Sequence, residues 1–317
     1  MKDLHRKPRR SKGAALITAL LVVALATVAA AGMAHRQRVD IHRAENILSA
    51  DQAYLYAQGV ESWALGVLNY DGLESKVDHL SEAWAIGIPV EKVDNGTVQG
   101  ALHDLQARFN LNNLVSDGKP NEIELQRLKR LLIALQLAPE VADNIMDWLD
   151  SDQDPGFPNG AEDDYYSGLA EPYRTANRPI RHISELRLIK GITDESFRKL
   201  APYVSALLQR TKININTAPR EVLMSIANGI SINDAESLIA SRNSTPFTDA
   251  KSLLQHDAFA GVELSPSEIT LGSQYFLVQS HTRFGRANLQ MSAVIQRLTG
   301  TFPKVTQRFR GNYAGSR

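Results

Sequence analysis

Not one of the 317 residues is cysteine. Disulfide staples, thiol nucleophiles and cysteine-held zinc or iron–sulfur centres are therefore excluded. Net charge is absent too, because 35 Lys and Arg balance 35 Asp and Glu. Only one run of apolar residues is long enough to cross a bilayer, which argues against a polytopic membrane protein. The sequence has no HExxH, GxSxG, GxGxxG or GxxxxGK[ST] signature. Its eight histidines are scattered, and each reads as a surface or core residue rather than a ligand. What remains is an ordinary globular balance, 43% hydrophobic and 22% charged, with material for a real core.

The zero balance conceals an asymmetry. Residues 1–13 carry six basic side chains (Lys2, Arg6, Lys7, Arg9, Arg10, Lys12) against one acid, Asp3, a net of +5. The other 304 residues therefore sum to −5, and a basic surface for polyanions is not expected on them. Ala14 to Ala34 is uncharged for 21 positions. As a helix it would span about 31 Å, one bilayer core. The basic residues before it should stay in the cytoplasm, which puts the body outside, in the periplasm of a Gram-negative host.

Three readings of this N-terminus compete. One is a secretory signal cleaved near Gly32-Met33-Ala34. Another is an uncleaved signal anchor. The third is a type IV pilin-like leader that ends at Gly13 and is cut before Ala14. The sequence beyond Ala34 bears on the choice. There is no Pro or Gly between Ala34 and Gln58, and apolar residues recur at Ile41, Ala44, Ile47, Tyr54, Trp63 and Val67 near helical spacing. The chain reads as one long helix from about Ala14 to Tyr70, embedded in its first half and amphipathic in its second.

Asp71 to Gly100 reads as a loop with short elements, and Thr97–Phe109 as a first strand or strand pair. Gln274–His281 and Ala287–Leu298 read as strands with Gly285 at the turn, and a last strand is expected near Val305–Arg310. Between them the apolar spacing predicts helices at Ile123–Leu137, Pro139–Leu149, Ile183–Ile189, Asp194–Leu208, Pro219–Asn228 and Ile232–Ser241. An antiparallel sheet interrupted by a helical insertion is the economical reading. A loose internal repeat lies within the insertion: Phe109-Asn110-Leu111-Asn112-Asn113 resembles Ile213-Asn214-Ile215-Asn216-Thr217, each followed by two helices.

The densest chemistry lies between Glu140 and Glu171. These 32 residues hold ten acids and no Lys or Arg. Asp150, Asp152 and Asp154 alternate, then Pro155-Gly156 and Pro158-Asn159-Gly160 precede Glu162-Asp163-Asp164. Such a cluster repels itself without a cation. Ca²⁺ takes six to eight oxygens from a loop of this kind, whereas Mg²⁺ rarely accepts an all-protein cage. The EF-hand template fits Asp150, Asp152 and Asp154 and then fails, with Pro155 at the glycine position and Ala161 where the bidentate Glu should be. Asp150, Asp152, Asp154, Glu162 and Asp163 are the candidate calcium ligands. A solvated acidic loop is the alternative, and a carboxylate pair for glycoside hydrolysis has no cleft signal to support it.

A second feature is Ile213–Ala218 with Pro246-Phe247, which looks like the helix-hairpin-helix modules of competence-type DNA receptors. Such hairpins hold phosphates with backbone amides. Here the hairpin Asn228-Gly229-Ile230-Ser231 has one glycine and no Lys or Arg. A membrane-tethered periplasmic DNA-binding protein is kept as the alternative, and nucleic acid is not the expected partner.

Taken together, these features resemble the K-type minor pseudopilin family of the bacterial type II (general) secretion system. The matching stretches are Lys12-Gly13 with Ala14-Ala15-Leu16-Ile17-Thr18, Phe109–Asn112, and Asp147-Trp148-Leu149-Asp150 with Asp152. Gly160–Tyr166, Pro172-Tyr173-Arg174, Ser184-Glu185-Leu186 and Ile213–Ala218 complete the set. The resemblance implies cleavage at Gly13–Ala14 and N-methylation by the prepilin peptidase. It implies an α+β, pilin-like fold: a long N-terminal helix on an antiparallel sheet, interrupted by an inserted all-helical domain of two SAM-like, helix-hairpin-helix-like modules. It also implies calcium in that domain.

The organisation expected is a leader at 1–13, a membrane segment at 14–34, and the periplasmic helix with the first strands at 35–109. The insertion would cover 110–271 (modules 110–212 and 213–271), with closing strands at 272–317. Where most pilins carry Glu at mature position five, this chain has Thr18. A carboxylate in the bilayer needs a partner, so Thr18 fits a subunit at the fibre tip. The implied role is non-enzymatic: nucleation of a short fibre in the inner membrane with the I- and J-type minor pseudopilins and the major pseudopilin.

Overall fold

The computed structural model describes residues 12–116, 118–311 and 313. Most of the expected leader (residues 1–11) and residues 314–317 lie outside the described residues.

The first element, α1, runs unbroken over Lys12–Glu74, 63 residues or about 95 Å at 1.5 Å per residue. It is somewhat longer at both ends than the apolar spacing predicts. Its first half is long and apolar enough to cross a membrane, and none of that window is buried in the protein. Burial begins only at Ala53 and continues through Ala57, Val60, Ala64 and Leu68, a stripe at helical spacing. Three of the five are alanine, so the helix lies close to the sheet. Gly100 permits the approach: a Cβ there would sit 2.6 Å from Val60 Cγ1. Thr282 Oγ1 donates to the Ala53 carbonyl at 2.9 Å, and Arg308 grips Glu61 through two bonds of 2.7 Å each.

After a short helix, α2 (Ala83–Ile86), come β1 (Ile88–Val93) and β2 (Gly96–Asp104). The 71–100 segment thus holds the short elements expected of it. The chain then leaves the sheet at Leu105 and returns at Tyr275, where Leu105 N–H donates to the Tyr275 carbonyl at 3.0 Å.

The excursion is mainly helical but not all-helical, which corrects the expectation. It holds α3 (Glu122–Ala134), α4 (Val141–Leu149), α5 (Asp163–Ser167), α6 (Asp194–Leu200), α7 (Arg220–Ser225), α8 (Ile232–Ser244) and α9 (Ala250–Leu253). It also holds six two-residue strands: β3 (Phe109–Asn110), β4 (Val115–Ser116), β5 (Lys119–Pro120), β6 (Val204–Ser205), β7 (Ile213–Asn214) and β8 (Ile269–Thr270). β3 pairs with β6 and β7 with β8, both in parallel, while β4 pairs antiparallel with β5. The helix expected over 194–208 stops at Leu200. Pro202, with no amide hydrogen to donate, sits in a 3₁₀ turn, and β6 follows. Residues Ile183–Leu188 are likewise 3₁₀ rather than α.

The chain closes with β9 (Tyr275–Phe284), β10 (Ala287–Gln296) and β11 (Lys304–Arg310). The sheet order is β1-β2-β9-β10-β11, antiparallel throughout. Gly285 turns β9 into β10 with φ +51°.

The repeated asparagines have a definite use. Asn110 and Asn214 each accept from the amide two residues on, at 3.2 and 3.0 Å. The second asparagine of each copy then clamps a distant backbone residue with both ends of its amide. Asn112 clamps Ile180 at 2.8 and 2.9 Å; Asn216 clamps Phe247 at 3.0 and 2.9 Å.

A buried ionic joint fixes the excursion to the sheet. Arg297, at the end of β10, bonds Asp71 at the end of α1 and both oxygens of Asp78, at 2.5 and 2.6 Å. Ser273 donates its amide to Asp78 and its hydroxyl to Asp104, both at 2.6 Å. Thr217 Oγ1 donates to Asp104 at 2.6 Å, and Asn214 Nδ2 donates to the same carboxylate at 3.2 Å.

Candidate metal centre

Every residue of α4 is buried, so the helix is wedged in the core of the excursion and its C-terminal end is held fixed. Trp148 packs edge-on against Tyr166 and Tyr173, with centroids 5.4 and 6.2 Å apart. The last turn therefore delivers Asp147 and Asp150 to a defined place.

Asp147 shapes the loop that follows. Its carboxylate accepts from Gly156 N at 3.1 and 3.2 Å and from Ala161 N at 2.7 Å. The loop folds back over it through a Gly160-to-Gly156 backbone bond of 2.6 Å. A Cβ on Gly160 would stand 2.1 Å from Asp147 Oδ2, so only glycine fits. Sequence reasoning passed over this role. The signal was there, in two glycines four apart downstream of a helical Asp.

This fold-back gathers Asp150, Asp152 and Glu162, whose carboxylate oxygens lie within 4.8 Å of one another. Asp150 and Glu162 are only 3% and 4% exposed. Asp150 Oδ1 and both Glu162 carboxylate oxygens are buried with no hydrogen-bond donor. Asp152 is exposed, and its Oδ1 accepts from Asp154 N at 2.9 Å. The other two expected ligands do not join. Asp154 is exposed and outside the group. Asp163 accepts from Thr175 N and Oγ1 at 2.9 and 2.8 Å and faces Arg174. Its role is to tie down the returning chain.

Burial and the Asp152 and Asp147 charges push the Asp150 carboxyl up to about 7. Burial, then Asp147, pushes Glu162 up to about 7 as well. The fold thus drives protons onto these carboxylates unless another cation replaces them. Three carboxylates without sulfur or imidazole form a hard-oxygen donor set, which suits Ca²⁺ or Mg²⁺ and not zinc. Three orphaned buried oxygens fit such an ion, because each otherwise costs about 1–3 kcal/mol or more.

The N-terminal positions stand apart from this centre. Gly13 and Ala14 lie in the first turns of α1 and are exposed. Thr18 Oγ1 bonds back to the Ala14 and Ala15 carbonyls at 3.1 and 3.0 Å.

A long helix, free and apolar in its first half and laid on an antiparallel sheet in its second, defines the pilin-like class of membrane-anchored proteins. The acid-lined loop lies in a large excursion between two strands of that sheet. Two family profiles, both described as type II secretion system (T2SS) protein K, match residues 107–209 and 213–272. The chain belongs to the type II secretion system protein K family. It is 36% identical to type II secretion system protein K of Pseudomonas aeruginosa PAO1 over 300 residues, covering 91% of this chain and 90% of that protein. It is 30% identical to that of Klebsiella pneumoniae over 320 residues, 95% and 97% of the two. In structure it is similar to one chain of the crystallised GspK–GspI–GspJ complex of enterotoxigenic Escherichia coli. The TM-score is 0.75 at 27% identity, covering 85% of this chain and 99% of that one.

Proposed function

We propose that this protein is the minor pseudopilin at the tip of the type II secretion pseudopilus, joined to I- and J-type partners. One observation carries the reading: the fold matches 99% of a chain from a K–I–J complex. The role is structural rather than enzymatic. The body stands in the periplasm, with the basic leader in the cytoplasm until prepilin peptidase cuts between Gly13 and Ala14. Packing of α1 against partner helices, including those of the major pseudopilin, nucleates the fibre. Thr18 brings no charge into the bilayer, and its hydroxyl is satisfied within its own helix. That suits a subunit with no neighbour above it.

The excursion divides at about 212 into two modules, each opened by its asparagine clamp. Calcium is structural. Asp150, Asp152 and Glu162 would hold it, and it would supply the positive charge that lets the buried carboxylates ionise.

The test is co-expression with the I- and J-type subunits of the same system. A stable ternary complex, with an N-methylated Ala14 as the mature N-terminus, is the expected result. A mature start near His35, or no complex after membrane extraction, would overturn the tip assignment.

A further inference from the structure

The apolar stretch of α1 ends at Ala34, and His35, Arg36, Arg38, His42 and Arg43 follow at once. Three arginines this close to a span are unexpected on this flank. Six Lys and Arg already precede the span, and basic residues gather on one side of a membrane segment. All five side chains are exposed. Among the described residues, Arg36 and Arg38 form no ion pair, and Arg43 approaches Asp40 only to 3.9 Å. His42 meets Glu45 at 3.1 Å. Both of these pairs stand in open solvent, where such contacts are worth little.

Helical spacing puts the five on one side, within an arc of about 160° at 3.6 residues per turn. Asp40 and Glu45 border that arc, while Gln37, Ile41, Ala44 and Leu48 fill the opposite side. Carried up the helix, the centre of the arc meets the stripe from Ala53 to Leu68 that faces the sheet. The basic side therefore lies beneath the overhang of the body, whose Gly285 turn comes down beside Ser49: a Cβ on Gly285 would stand 3.0 Å from Ser49 Oγ. Arg36 stands about 3 Å and Arg43 about 14 Å beyond Ala34 along the axis. The headgroup layer is about 5–8 Å deep. Every Cα–Cβ bond of a helix leans toward its N-terminus, here toward the membrane, so the upper side chains reach down to that layer.

We propose that this arc is a headgroup-binding collar, in which His35, Arg36, Arg38, His42 and Arg43 engage the phosphates of anionic phospholipids in the leaflet on the body's side. The placement selects the occupant. The arc continues directly from the span, its charge is opposite to that of the headgroups, and the body above it leaves the bilayer surface as what it faces. Arginine grips a phosphate through two parallel bonds. Each cation held at an anionic surface strengthens binding about fivefold. The inference rests on α1 being a membrane span. The collar fixes the height of the unassembled subunit and its rotation about the helix axis. Ile41, Ala44 and Leu48 are then presented for packing against other helices.

The chain has no cysteine, so Val39→Cys offers a single attachment point for a nitroxide in the middle of the arc. The labelled full-length protein is placed in nanodiscs of phosphatidylcholine and phosphatidylglycerol mixed four to one, and the broadening of their two ³¹P signals is compared. The cations of the leader lie across the bilayer core, about 30 Å from the label, and do not contribute. With the arc intact, phosphatidylglycerol should be broadened several-fold more than phosphatidylcholine. Adding Arg36→Gln, Arg38→Gln and Arg43→Gln should make the two equal. A second variant keeps the net charge but moves two cations to the opposite side: Arg36→Gln and Arg43→Gln with Gln37→Arg and Ala44→Arg. It should lose most of the preference. Equal broadening with the arc intact, or a preference that survives the relocation, overturns the collar. If neither signal broadens, residue 39 is not at a membrane surface, and the span and the collar fall together.

Discussion

Two clusters of buried carboxylates sit in this molecule, and they are settled in opposite ways. At the joint, Asp78 and Asp104 are 1% and 5% exposed, and the protein answers both of them. Arg297 and the Ser273 amide donate to Asp78; the Ser273 and Thr217 hydroxyls and the Asn214 side-chain amide donate to Asp104. Burial raises the Asp78 carboxyl to about 7 as well, but there Arg297 and the Ser273 amide pull against the rise. At the loop, Asp150 is buried as deeply, but after burial the remaining influences, Asp152 and Asp147, only push it further up. The joint is a closed ionic network. The loop is an open one, with no donor inside the chain for Asp150 Oδ1 or for either Glu162 carboxylate oxygen. Burial alone therefore does not mark a candidate binding site; burial without an internal partner is what singles out the loop.

The largest effect that would probe this contrast is at the joint. Arg297→Met strands Asp71 and Asp78 and should cost about 3–5 kcal/mol. Denaturant unfolding should report the same loss with and without calcium. A loss that calcium restores would erase the distinction between the clusters.

The next is at the loop. Calcium at about a hundredfold over its dissociation constant should stabilise the wild type by about 2.7 kcal/mol. Asp150→Ala combined with Asp152→Ala should lower the melting temperature in calcium and leave it unchanged or higher in chelator. Equal melting of the wild type in both conditions would show the loop to be as self-sufficient as the joint.

A smaller loss is expected from Gly160→Ala, which forces the loop off Asp147 at a cost of about 1–3 kcal/mol. Calorimetry should also show weakened calcium binding, because the displaced Ala161 and Glu162 move with the loop. Unchanged affinity would mean that the fold-back does not position the ligands.

The subtlest test is pH. Asp150 and Glu162 have raised carboxyl pKa values, so protonation favours the metal-free fold. Their contribution is fully present below the ordinary values of 3.8 and 4.5 and is lost as pH rises through about 7. In chelator, thermal unfolding should therefore show this region of the protein more stable at pH 5 than at pH 8. Saturating calcium should reverse the trend, since its ligands must be deprotonated.

Much of the architecture was legible in the sequence. The long helix showed itself by the absence of breakers, and the closing hairpin by alternation around Gly285. The repeat of Asn-Leu-Asn and Asn-Ile-Asn was visible too, because paired clamps need the same side chain at the same spacing. The short parallel ladders were not legible: two residues such as Phe109–Asn110 carry no period, and their partners are about a hundred positions away. The loop was found by charge density, but density could not sort ligands from anchors. Asp163 looked like Glu162 until Thr175 claimed it.

The registry of β2 with β9 has a consequence for the order of events. These strands pair from Gly96↔Phe284 to Asp104↔Phe276 as the arms of a hairpin would, yet about 170 residues separate them. A chain made at about 5–20 residues per second would wait roughly 10–30 seconds between the two arms. The excursion is contiguous and supplies most of one buried apolar cluster, to which Tyr275, Leu277, Val294 and Tyr313 are added later, so it can begin to fold in that interval. The pairing of β2 with β9 can only be zipped afterwards, against a body already forming. Maturation of this protein would then run inside out: the inserted part folds first, and the framework closes around it last.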